Sequence, residues 1–165
     1  MKIRKNTRAV LLNENNEIFL FKFHFAMLLD DRTMWVTPGG GIAEGESFED
    51  GLKRELFEEL GLSDIDIGSW IWFRNKPNTI KSGEQIMSEE RYFLVRTTTD
   101  DTFTFEHMGY DERSLTKDGR WWSVEALEAS SEEFFTERLF EKLQTIIDQE
   151  QDIRGGQSFA DPEEI

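Results

Sequence analysis

Residues 39, 40 and 41 are glycines, and within the next twenty positions stand Glu46, Arg54, Glu55, Glu58 and Glu59. These residue types suit one chemistry, the handling of a phosphorylated ligand with the help of a cation. A helix is expected to start at Ser47 or at the Gly45, Glu46 turn and to stop at Gly61. At roughly 100° per residue, Phe48, Leu52, Leu56 and Leu60 fall within an arc of about 120° that can bury against a sheet. Taking Glu55 as origin, Glu59 lies about 40° to one side and Glu58 about 60° to the other, so three carboxylates crowd a sector that overlaps the apolar stripe. Like charges at a half-buried edge repel one another and are costly to desolvate, a conflict that a divalent cation removes. Hard ions such as Mg²⁺ or Mn²⁺ take carboxylate, carbonyl and water oxygens together with substrate phosphates. Gly39, Gly40 and Gly41 allow the backbone to approach a ligand closely. Arg54 falls on the helix flank, where its fork can hold a carboxylate such as Glu46.

Written as a pattern, residues 40–62 read Gly40, five residues, Glu46, seven residues, Arg54, Glu55, Leu56, any residue, Glu58, Glu59, any residue, Gly61, Leu62. Every slot of the Nudix box GX5EX7REUXEEXGU is filled, and the chain therefore resembles a Nudix hydrolase. Average residue usage gives such a match by accident on the order of 10⁻⁷ times per chain. The resemblance implies that the Gly40 carbonyl, Glu55, Glu58 and Glu59 ligate metal, with Arg54 and Glu46 orienting them. It implies hydrolysis of a diphosphate link in a nucleoside diphosphate joined to another moiety. Position 43, commonly glutamate in the family, is Ala43 here, with Glu44 beside it. The alternative is a catalytically silent module of the same fold that senses a ligand or binds a protein, and decayed sites of that kind lose box glutamates. A same-fold prenyl diphosphate isomerase would call for a cysteine, and the chain has none.

Hydrolysis also needs a base to activate water. Glu112 and Glu55 are the leading candidates, with Glu89 and Glu90 behind them. Arg8, Lys22, Arg74, Arg91 and Arg113 are candidates for gripping phosphates. The substrate-binding set is expected to be Gly39, Gly40, Gly41, Arg8, Lys22 and Arg91. His24 and His107 read as structural, and the five tryptophans read mostly as core, though one could stack on a base.

Strand-like runs at residues 7–12 and 18–25 flank a turn at 13–16, and Phe19, Phe21, Phe23 and Phe25 alternate onto one face. Further strands are expected at 34–37, 65–73, 91–97, 103–105 and 119–123, with a mobile loop over 75–88. A last helix is expected from Ser130, with Glu133 completing a capping box and Phe135, Leu139, Leu143, Ile146 and Ile147 as its stripe. Strands, a helix, more strands and a final helix predict an α/β (α+β) sandwich, Nudix-like, with a mixed sheet between helices. A single domain over residues 1–154 is expected, followed by a disordered acidic tail over 155–165.

The net charge of −15 argues against a protein that holds nucleic acid stably. It also poses a difficulty, because phosphorylated substrates are anions. The apolar run near the N-terminus is too short for a signal peptide or a membrane span. The expected partner is a small nucleotide-type diphosphate, met by a cytoplasmic monomer or homodimer.

Overall fold

The computed structural model describes residues 1–101, 103–154 and 161–165. Strand β1 (Lys2–Leu12) pairs in parallel with β6 (Gln85–Arg96) along its whole length, and β6 pairs antiparallel with β5 (Trp70–Thr79). On the other flank β2 (Ile18–His24) pairs with β3 (Thr33–Val36) and with β7 (Thr116–Trp122). Alternation along β1 sends Val10 and Leu12 to one face and Ala9 and Leu11 to the other. The first pair packs with Leu139, Leu143, Ile146 and Ile147 of α4 (Leu139–Arg154), the second with Leu52, Leu56 and Leu60 of α1 (Phe48–Leu60). Both faces of the mixed sheet are thus covered by helices, as the sequence predicts.

The sheet splits at its centre, and the split makes room for the site. β1 meets β2 only where Leu12 faces Ile18; farther back, Asn6, Thr7 and Arg8 pair instead with β4 (Gly39–Gly41). At the first two positions of this short glycine strand the neighbours leave no space for a side chain. A Cβ at Gly39, where φ is +141°, would fall 2.0 Å from the Thr7 carbonyl oxygen. A Cβ at Gly40 would fall 2.8 Å from the Glu55 carboxylate.

Four expectations are corrected. Residues 75–88 are a regular hairpin rather than a mobile loop, with Pro77 facing Met87. Proline is admitted there because the far side of β5, engaged at Trp72 and Phe73 and again at Thr79, is unpaired at Pro77 among the described residues. Phe103, Thr104 and Phe105 form no strand; Phe103 packs edge-on against Phe19, at 4.9 Å between centroids, and the Thr104 N–H is donated to the Leu60 carbonyl. Ser130 closes a short helix, α3 (Val124–Ala129), which Ser123 caps, so the long helix starts nine residues later than the capping-box pattern implies. Glu163 and Glu164, placed in a disordered tail by composition, form β8 (Glu163–Glu164) on the edge of β5. Backbone pairing to an open edge needs no apolar pattern, which is why composition does not reveal it. The rest of that tail, residues 155–160, lies outside the described residues. Among the described residues no helix is long and apolar enough to cross a membrane.

Candidate active site

Helix α1 begins where the Ser47 hydroxyl accepts from the Asp50 N–H and ends at Gly61 in the left-handed conformation. Between these caps Leu52, Leu56 and Leu60 are fully buried, which fixes the rotation of the helix and carries Glu55 and Glu59 under cover with them. Glu59 accepts from the Gly39 N–H at 3.1 and 3.3 Å. Arg54 is the organiser of the outer edge. It donates to both oxygens of Glu46 (2.9 and 3.0 Å), to Glu55 (3.0 Å), to Glu58 (3.3 Å) and to the Gly41 carbonyl (3.0 Å). Its guanidinium is held charged above the usual range by those partners, Glu46 foremost, while hydrogen bonds from Arg54 pull the Glu46 carboxyl down to about 2.

Helix α2 (Tyr110–Leu115) brings Glu112 to the same place. One oxygen from each of Glu55, Glu59 and Glu112 lies within 4.8 Å of the others. Burial pushes all three carboxyls above the usual range, and repulsion from neighbouring carboxylates, Glu58 included, adds to the effect. Three desolvated carboxylates so close, beside a strand of three glycines, match the donor set that a hard divalent ion takes. Glu58 stands apart from this trio, half-exposed and engaged with Arg54. The sequence spacing grouped Glu55, Glu58 and Glu59; the fold groups Glu55 and Glu59 with Glu112, because burial of the leucine stripe leaves Glu58 on the solvent side.

The trio borders a cleft of about 280 Å³ whose lining includes Arg4, Arg8, Arg32, Arg74 and Lys76 against Glu59, Glu90 and Glu112. Five cations against three carboxylates leave two positive charges in a protein of net −15. Acidity of the whole chain is therefore no bar to an anionic ligand.

Arg8 and Arg74 share the buried Glu90, at 3.3 and 2.9 Å, and the Tyr92 hydroxyl also donates to it at 3.1 Å. Burial tends to raise the Glu90 carboxyl, but the two arginines prevail and hold it below the usual range. Arg8 further donates to the carbonyls of Thr37 (3.3 Å) and Gly39 (3.1 Å), so one guanidinium ties the glycine strand to the cleft floor.

Two expected phosphate ligands stand elsewhere. Lys22 pairs with Glu132 at 3.0 Å on the far side of its strand. Arg91 lies between the rings of Phe48 and Trp70, 4.1 Å from each centroid, on the face of β6 opposite the cleft. Parity explains both, since each sits one residue out of step with the side chains that line the cleft. Arg113 donates to the Phe105 carbonyl. Arg4, Arg32 and Lys76 line the cleft and were missed; the parallel register of β1 and β6, invisible in one sequence, puts Arg4 there. The cleft's rings are those of Phe21, Phe23, Phe25, Tyr92 and Phe135, with no tryptophan among them.

The arrangement is that of enzymes that hydrolyse phosphoanhydride links with a divalent ion. A family model described as the NUDIX domain matches residues 2–143. An RNA pyrophosphohydrolase of Wolbachia pipientis subsp. Culex pipiens (strain wPip) is 28% identical over 148 residues, 84% of this chain and 87% of that protein. An RNA pyrophosphohydrolase of Sulfurovum sp. (strain NBC37-1) is 37% identical over 103 residues, covering 56% of this chain and 62% of that one. Among solved structures, the MutT protein of Methanosarcina mazei Go1 shares the fold with a TM-score of 0.62 at 19% identity, covering 91% of this chain and 96% of the other. An ADP-ribose pyrophosphatase of Streptococcus suis 89-1591 does so at 0.59 and 15%, covering 98% of each. The chain belongs to the Nudix family and is a hydrolase of pyrophosphate bonds. Members of this family work with a divalent metal.

Proposed function

We propose that the chain, working as one domain over residues 1–154 in the cytoplasm, uses Mg²⁺ or Mn²⁺ to cut the diphosphate link at the 5′-polyphosphate end of an RNA chain. The observation that carries the chemistry is the trio Glu55, Glu59 and Glu112 facing a cleft whose lining is cationic. The curated relatives, among them the Wolbachia pyrophosphohydrolase aligned over most of both chains, favour an RNA end over a free nucleotide. A cationic cleft in an otherwise acidic surface fits an enzyme that grips a terminus briefly and repels the rest of the polymer.

Glu55, Glu59, Glu112 and the Gly40 carbonyl would hold the ion, with Glu58 joining when it leaves Arg54. An ion bound there supplies charge neutralisation on phosphate oxygens and a more acidic water. Arg54 and Glu46 fix the orientation of Glu55. Arg8 grips substrate phosphate. Glu112 would take the proton of the attacking water through its oxygen not engaged by the ion, because it arrives on a separate element beside Glu55 and Glu59. The aromatic wall of Phe21, Phe23 and Phe25 receives the base.

A panel of 5′-triphosphorylated RNA oligonucleotide, nucleoside triphosphates, ADP-ribose and dinucleoside tetraphosphate tests the reading. Release of phosphate or pyrophosphate should be fastest from the RNA end, require Mg²⁺ or Mn²⁺, and vanish in EDTA. A metal-dependent rate on another member of the panel exceeding that on RNA would overturn the substrate assignment.

A further inference from the structure

The charges that make the cleft positive are not spread evenly over it. Arg32 is matched by Asp30 and Glu133. Arg8 and Arg74 share Glu90. Arg4 and Lys76 line the same cleft and form no ion pair among the described residues. They are also brought together by register. Ser88 of β6 faces Arg4 of β1 on one side and Lys76 of β5 on the other, so the three occupy one rung across three strands. With neighbouring strands about 4.8 Å apart, the Arg4 and Lys76 backbones stand roughly 10 Å from each other with the Ser88 hydroxyl between. Arg4 is four residues from Arg8 along β1, or roughly 13 Å, so this rung lies well away from the carboxylates. Asn78, whose amide donates to the Ser88 hydroxyl at 3.1 Å, orients that group.

We propose that Arg4, Ser88 and Lys76 form a second anion subsite, which takes a phosphate of the substrate other than those of the scissile diphosphate. On an RNA end that phosphate is the phosphodiester joining the first nucleotide to the next. The base-binding wall of Phe23 and Phe25 lies along the same cleft. The carboxylates, this wall and the rung all line one cleft, so a nucleotide with its diphosphate at the carboxylates has the rung within the same cavity. Burial foremost, then the charges of Arg74 and Arg32, lowers the Lys76 ammonium below the usual range against the opposing pull of Glu90 and Asp30. An arriving phosphate relieves that repulsion. The subsite rests on the reading of the reaction given above, and it explains how an enzyme of this kind tells a polymer end from a free nucleotide without reading sequence.

The test compares three substrates with the same first nucleotide: the nucleoside 5′-triphosphate, its 3′-phosphorylated form, and the 5′-triphosphorylated dinucleotide. The intact enzyme should prefer both substrates that carry the extra phosphate, by about tenfold in kcat/KM. The Arg4→Gln, Lys76→Gln double variant should bring that ratio close to one, whereas Lys117→Gln, on exposed β7, should keep it. A preference for the dinucleotide alone would show that the second nucleoside and not the phosphate is recognised, and would overturn the proposal. So would a ratio that survives the double variant. Binding of nucleoside 3′,5′-bisphosphate against nucleoside 5′-monophosphate in EDTA separates the subsite from the reaction. Tighter binding of the bisphosphate, lost in the double variant, upholds the subsite even where no substrate is turned over, whereas equal binding rejects it.

Discussion

Glu59 is the residue on which stability and function disagree. It is buried, faces Glu55 and Glu112, and has the Gly39 N–H as its hydrogen-bond donor. A neutral amide at this position keeps an acceptor for that N–H and removes the buried charge. Glu59→Gln should therefore raise the Tm in EDTA at neutral pH by on the order of 3 °C, as read by differential scanning calorimetry, while abolishing metal-dependent turnover. A lower Tm for this variant would show that the carboxylate is not a source of strain. Arg54 acts the other way, since it satisfies three carboxylates at once. Arg54→Ala should cut kcat/KM by roughly 10²-fold and raise the metal concentration needed for half-maximal rate; a rate within twofold of the parent would remove Arg54 from the machinery. At this scale the sequence was most legible where the helix period applied, for spacing alone put Glu55 and Glu59 on one sector. Glu112 lies more than fifty residues from both, and only the fold brings it there.

Among the elements, α1 was legible to its caps because local signals define both ends. The Ser47 cap is worth about 1 kcal/mol, so Ser47→Ala should lower stability by that amount with little change in rate at saturating metal. Denaturant unfolding and steady-state kinetics together check this. The inner halves of β5 and β6 fall within the expected strands, whereas the outer halves were illegible for a contrary reason: they are polar, and their strand character comes from pairing with each other and, for β6, with β1. Edge addition of β8 was hidden in the same way. Lys22 and Arg91 were misplaced because a strand's faces alternate, and a choice of face needs the partner strand. Removing residues 161–165 should expose the β5 edge beside Trp72 and Phe73, lower the Tm, and promote concentration-dependent self-association detectable by light scattering. Unchanged scattering would show that the edge is harmless without its cover.

For the whole molecule, charge is the governing quantity. The buried Glu90 is charged more readily in the folded protein than in the unfolded chain. Its contribution is thus fully present above the ordinary carboxylate range and is lost as the pH falls through its depressed folded value. Glu90→Gln leaves Arg8 and Arg74 without their partner and should cost about 3 kcal/mol at pH 7. That gap should narrow between pH 5 and pH 3 in urea titrations, and a gap independent of pH would show that charge is not its origin. The closure of the cleft carries a consequence for how this protein can change. Leu28 of the 26–33 connection bridges Ile80 at the tip of the β5 and β6 hairpin, and the Leu29 and Lys81 amides donate across that contact at 2.9 and 3.1 Å. Two surface segments therefore meet at the rim of the cleft, with Met27 and Leu28 of one and Asn78 and Ile86 of the other in its lining. Substitutions in either can widen or narrow that opening while the carboxylates keep their places, so descendants of this chain can acquire new substrates by drift at the rim without relearning the reaction.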